Sequence, residues 1–164
     1  MILPPNIHVL RAPETLDYYH AQTVVLPVGM SALELWNRLM TQPLPLMSLA
    51  FRLRDAISAR FGVRKIGGFS GQRADQVAVG DRLDFFLVEH VAPDVLVLTE
   101  RDRHLDVMTC LSTSENRVTI TSSVVTHNAF GRAYMLPVGI AHKLFVGAML
   151  RRLKRSFESG QPAV

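Results

Sequence analysis

Almost nothing in this chain offers a covalent or metal-borne staple. It has one cysteine, Cys110, which excludes an internal disulfide; a lone thiol inside an apolar run, with no adjacent cation or base to activate it, reads as a small buried hydrophobe. The six histidines, at positions 8, 20, 90, 104, 127 and 142, never stand four apart on one helix, and no His-Glu-x-x-His segment occurs. Neither a catalytic nor a structural zinc site is expected, and no cofactor is implied. The glycine-rich stretch Gly68-Phe69-Ser70-Gly71-Gln72 lacks the second glycine of a nucleophile elbow and the Gly-Lys-Ser/Thr ending of a phosphate loop. Residues 1–16 hold Pro4, Pro5 and Pro13 in place of the basic start and apolar run of a secretory signal, so the chain is read as cytoplasmic. No run of roughly 18 apolar residues suggests a bilayer span. Aromatics make up only 7% of the residues, too few for a single-strand stacking platform, and nucleic acid is not an expected partner.

What is present is an ordinary globular balance: 48% hydrophobic and 20% charged residues in 164, enough for one core. The net charge of +4 comes from 18 basic and 14 acidic residues, with four of the cations at Arg151, Arg152, Lys154 and Arg155. Their simplest role is to complement the negative end of a helix dipole. A meeting with an acidic membrane surface is the sharper reading.

Residues 17–26 are rich in aromatic and β-branched types and end at Pro27, which suits a first strand. Ser31 reads as an N-cap, with Glu34 completing a capping box, for a helix over 32–41. Leu46, Leu49, Ala50, Leu53, Ile57 and Phe61 recur at helical spacing until Gly62. Residues 63–80 read as a loop with room for a short edge strand. Four strands are then expected, over 82–91, 95–100, 104–113 and 117–127, joined by short turns as an antiparallel meander. After Gly131, placed at a sharp turn, and Pro137, the helical period returns through Ile140, Leu144, Met149, Leu150, Leu153 and Phe157, before Gly160 and Pro162 open a frayed tail. The fold class is therefore α+β: an extended segment over 1–16, one domain over 17–158, and a flexible tail over 159–164. In it, two shorter helices follow the first strand, and a curved antiparallel sheet is covered by the long last helix.

If Glu115-Asn116 makes a two-residue hairpin, Val107 faces Val124, Leu111 faces Ile120 and Leu105 faces Thr126 on the core side. The other side then carries His104, Asp106, Met108, Cys110, Thr119, Thr121, Ser123 and His127, an outer, more polar face on which Asp106 and His127 are diagonal neighbours.

Taken with Asp17-Tyr18, the segment from Phe51-Arg52-Leu53-Arg54-Asp55 to Phe61-Gly62, Leu105-Asp106-Val107, His127-Asn128, Gly131 through Tyr134, His142 and Met149 through Arg152, this order resembles the bacterial family labelled domain of unknown function 2867. That family is placed here within the helix-grip, START-like proteins, also called the SRPBCC superfamily. The resemblance implies a cavity between sheet and last helix for an apolar or amphipathic small molecule. Leu105, Val107, Leu111, Ile120 and Val124 would form its walls, and Arg54, Asn128, Tyr134 and His142 its polar anchors. Asp55, Asp106 and Arg132 are further candidates carried by the family match, although the hairpin register puts Asp106 on the outer face. Two other functions stay open. One is an enzyme of the same fold using His142 or Tyr134 in acid–base work on a carbonyl-bearing substrate, as in cyclases and hydratases; the other is a peripheral membrane or interaction protein using the basic last helix. The sequence leaves the oligomeric state open.

Overall fold

A computed structural model describes residues 6–41, 44, 47–49, 52, 55–56 and 67–159. The elements are β1 (Tyr18–Val25), α1 (Ala32–Met40), β2 (Arg82–Leu83), β3 (Phe86–Ala92), β4 (Val95–Arg101), β5 (Leu105–Ser114), β6 (Arg117–Thr126) and α2 (Ala129–Glu158). The strands form one antiparallel sheet in the order β1-β6-β5-β4-β3-β2. From β2 to β6 this is the expected meander. The first strand closes it by pairing with the last, a long-range contact that no local signal dictates. Of the helix expected over 46–61, Met47, Ser48, Leu49, Arg52, Asp55 and Ala56 are helical; its other residues lie outside the described residues.

The β5–β6 hairpin has the expected register, with Val107 opposite Val124, Leu111 opposite Ile120 and Leu105 opposite Thr126. Glu115 takes a positive φ of 54° at its turn. The strand expected over 82–91 is two strands instead. Asp84 turns at a positive φ of 54°, and its carboxylate accepts a hydrogen bond from Ser70 N at 3.0 Å, so the polypeptide folds back after Leu83. Alternation alone could not reveal that break.

Both helices pack on one face of the sheet, where Leu35, Trp36, Leu39 and Met40 meet Val88, Leu96, Leu98, Leu111, Ile120, Val146 and Leu150. Ser31 caps α1 by accepting from Glu34 N at 3.2 Å. The reciprocal half of the expected capping box is not formed: the Glu34 carboxylate accepts from Arg38 at 2.7 Å and from Arg73 at 2.8 Å.

The opposite face corrects the expectation of an outer polar surface. Met108 and Cys110 are buried with Val95 and Val97, and Leu10 packs against them. Thr119, Thr121 and Ser123 are buried as well. The chain ahead of β1 is tied down there by Asn6 on Thr113 O, His8 N on Cys110 Sγ and Leu10 N on Ser123 Oγ. Burial pushes the Cys110 thiol above its ordinary pKa.

The last helix begins at Ala129, eleven residues earlier than the return of periodicity at Ile140 suggested, and Pro137 lies inside it. Proline removes one intrahelical N–H; here it falls beside exposed Ala133 and Leu136, where water can take the freed Ala133 carbonyl. Because Lys143 is the one charge between 133 and 150, α2 is long and apolar enough to cross a membrane by length and composition, an 18-residue stretch of it having a mean hydropathy of 1.4. The sequence reading missed this because Pro, Gly and His interrupt the run. In this fold the helix lies along the sheet.

Candidate functional site

The site is a hollow between α2 and the helix-facing side of the sheet. On α2 the inward row is Tyr134, Val138, Ala141, His142, Phe145 and Met149, a helical spacing that keeps one side toward the strands. Between that row and the sheet lies an apolar cavity of about 300 Å³, walled by Val107, Thr109, Leu111 and Ile120 and closed at one end by Trp36, Phe69, Phe85 and Phe86. The aromatic end is a connected cluster, with Trp36 edge-on to Phe69 at a centroid distance of 5.7 Å and the Phe85 and Phe86 rings tilted against each other at 4.3 Å. A second cavity of about 130 Å³ is lined by Leu105, Val124, Tyr18, Ser122, Glu100 and Asp102. Phe85, Val107, Tyr134, Val138 and His142 border both.

A chain of hydrogen bonds crosses the boundary between the two lobes. The β1–β6 register sets Tyr18 opposite Val124 and His20 opposite Ser122, and β5–β6 sets Thr109 opposite Ser122, so these side chains share the helix-facing side. Gly139 lets α2 come close: a Cβ there would stand 2.9 Å from the Tyr18 ring. The Tyr18 hydroxyl is 3.1 Å from the Gly139 carbonyl and 3.2 Å from His142 Nδ1. A carbonyl can only accept, so the phenol proton goes to Gly139 O, and the phenol oxygen accepts from His142 Nδ1–H. His142 Nε2 is then left to accept the Ser122 hydroxyl at 3.2 Å, and Ser122 Oγ to accept from Thr109 at 3.4 Å. Every proton in the chain is assigned, and what it offers toward the cavity is acceptor lone pairs.

The chain is electrically neutral. Burial, reinforced by His20, holds the His142 imidazole down at about 4, and burial pushes the Tyr18 hydroxyl up to about 12. His20, whose ring lies 5.8 Å from that of His142, is lowered by burial and by Lys143. Its buried Nδ1 has no hydrogen-bond partner. Among the described residues no three His, Cys, Asp or Glu side chains gather as metal ligands.

The residues singled out from sequence divide clearly. Leu111 and Ile120 line the larger lobe, Leu105 and Val124 the smaller, and Val107, Tyr134 and His142 both. Arg54 lies outside the described residues. Asn128 is not an anchor of the cavity: it caps α2, its Oδ1 accepting from Gly131 N at 3.0 Å and its Nδ2 donating to Arg103 O at 3.1 Å. Asn128→Ala is therefore expected to lower stability by about 1 kcal/mol in chemical unfolding while leaving the cavity intact. Gly131 is not at a sharp turn but in the first turn of α2. Arg132 is exposed beside Asp17, and Asp55 accepts from Gly67 N at 3.0 Å. Asp106 pairs with His127 at 3.1 Å on the face turned away from α2, the diagonal contact that the register implied.

Sequence reasoning missed Tyr18, His20, Thr109 and Ser122 as site residues. The signal available was the two-residue spacing of Tyr18 and His20 on one strand face; what was lacking was the strand that they pair with.

No curated protein and no solved structure matches the chain. A family model described as protein of unknown function (DUF2867) does match, over residues 12–149. That span runs from the lead-in to β1 to the part of α2 that walls the cavity, and the chain belongs to this family.

Proposed function

We propose that this protein is a START-like, helix-grip protein that binds a hydrophobic small molecule between its sheet and its last helix. The observation that carries the reading is the apolar cavity of about 300 Å³ against the inward row of α2, a size and lining typical of small-molecule sites. The element order, with an antiparallel sheet and a long C-terminal helix across it, supports the superfamily placement. A ligand here is not anionic, because Glu100 and Asp102 border the smaller lobe and His142 is uncharged at neutral pH, and the apolar lining of the larger lobe disfavours a charge of either sign there. It carries a donor such as a hydroxyl, because the Thr109–Ser122–His142–Tyr18 chain presents acceptors. Acid–base catalysis is the weaker reading: an imidazole held at about 4 is a poor base near pH 7, and Ser122 and Tyr18 are spent on His142 instead of converging on a substrate atom.

Native mass spectrometry of protein purified from its own host, with release of any bound species, should find an uncharged apolar molecule. In vitro, a fluorescent apolar probe should bind and be displaced by a long-chain alcohol better than by its methyl ether or the matching carboxylate. Ala141→Trp, which fills the larger lobe, should weaken probe binding by about tenfold, the equivalent of some 60 Å² of apolar contact. An undiminished affinity in that variant would place the probe elsewhere, and a protein that takes up no apolar probe would refute the reading.

A further inference from the structure

The outer side of α2 is as unusual as its inner one. Leu136, Ile140 and Leu144 succeed one another at four-residue steps and are 72%, 65% and 67% exposed. They are three of the seven large hydrophobic side chains exposed among the described residues, and all three stand on one helical row. The row does not end in neutral surface. On a helical projection Arg151 and Arg155 fall within about 20° of Leu144, and both are exposed. Arg152 and Lys154 add to the same end of the helix. Over its 30 residues α2 carries Arg132, Lys143, Arg151, Arg152, Lys154 and Arg155 against the single acid Glu158, which already meets Lys154 at 3.9 Å.

An apolar stripe that runs into a cluster of cations matches the cross-section of an anionic lipid surface: acyl chains for the leucines and isoleucine, phosphate headgroups for the arginines. A second copy of the chain fits less well. Two such helices laid together would bury the stripe but bring no carboxylate to the basic end. We infer that the outer face of α2 is a docking surface for an anionic lipid bilayer, on which the helix lies in the interfacial plane, Leu136, Ile140 and Leu144 toward the acyl chains. The geometry also joins this surface to the cavity, since the same turns of α2 carry Val138, Ala141 and Phe145 on the inner side. One helix thickness separates the bilayer from the ligand space.

The test is cosedimentation of the full-length protein with vesicles of phosphatidylcholine containing one part in three of phosphatidylglycerol, and with vesicles of phosphatidylcholine alone. Binding is expected only to the anionic vesicles, and to weaken as salt is raised. Ile140→Glu combined with Leu144→Glu should lower partitioning by at least about tenfold, and each of Arg151→Gln and Arg155→Gln by about fivefold. Retained binding of the apolar probe shows that these variants are folded, so that loss of membrane binding is not loss of structure. Absence of binding to anionic vesicles at low salt would overturn the inference, as would binding that the stripe variants leave unchanged. A concentration-dependent dimer in sedimentation velocity, dissolved by the same double variant, would overturn it in favour of a second copy.

Discussion

Acidification from pH 6.5 to 4 should cost the folded protein about 3 kcal/mol through His142 alone. Unfolded, this histidine titrates near 6.5; folded, burial holds it at about 4. Over that interval the unfolded chain binds a proton that the native protein refuses, so stability falls as pH falls, at about 1.4 kcal/mol per unit for each such group. The contribution is fully present above pH 6.5 and lost by pH 4. His20, also lowered, acts in the same direction, while Asp17, whose carboxyl is held down chiefly by the Thr126 N–H, loses its contribution only at more acid pH. Burial explains why the proton is refused, reinforced by the neighbouring His20, and the ring nitrogen that would have to take the proton up already accepts the Ser122 hydroxyl. Urea unfolding at pH 7, 5.5 and 4 measures the slope. His142→Gln should flatten most of it; a wild-type curve indifferent to pH over this range, or a variant as steep as the wild type, would contradict the buried neutral chain. Because the same imidazole accepts from Ser122, loss of ligand affinity should accompany its protonation.

The elements that were legible in the sequence are those whose signals are local. The β5–β6 register could be read because Glu115-Asn116 admits a two-residue turn, and one turn fixes the facing of twenty residues. The Ser31 cap and the α1 stripe are likewise contained within ten residues. What escaped depends on contacts between distant parts of the chain. Nothing near Tyr18 or His20 says that β1 lies against β6 rather than alone at an edge, and without that pairing the two residues cannot be placed beside Ser122 and His142. The polar run on β6 looked solvent-facing for a similar reason: the segment that covers it is over a hundred residues earlier in the chain. Pro137 misled in the opposite way, since a proline that ordinarily ends a helix is carried here where its missing N–H faces water. The site was half legible accordingly. Its apolar walls follow from strand alternation and helix period, its hydrogen-bond chain from topology alone.

Gly131→Ala separates two physical arguments by the sign of its effect. Helix propensity favours alanine over glycine inside a helix by about 1 kcal/mol, so on local grounds the substitution should stabilise α2. Packing says the reverse. A Cβ at this position would drive into the carbonyl of His104 and stand 3.3 Å from the Thr126 Cβ. That carbonyl cannot swing aside freely, because it accepts from His127 N at 2.7 Å where β5 and β6 end. Nor can α2 easily back away, since its first turn is held by Asn128, which is bonded in turn to His104 Nδ1 at 3.1 Å and to Arg103 O. The obstruction is backbone against backbone, and its relief has to break one of these bonds in addition to the strain of overpacking, for a net loss of about 3 kcal/mol. Gly139→Ala is the instructive comparison, because the atoms in its way belong to the Tyr18 ring, a side chain that can rotate, so a loss of only about 1 kcal/mol is expected there, with weakened ligand binding as Tyr18 leaves His142. Thermal unfolding of the two variants checks the order. If Gly131→Ala proved neutral or stabilising, the close approach of α2 to the β5–β6 end would be wrong, and with it the placement of Tyr134 and His142 over the cavity.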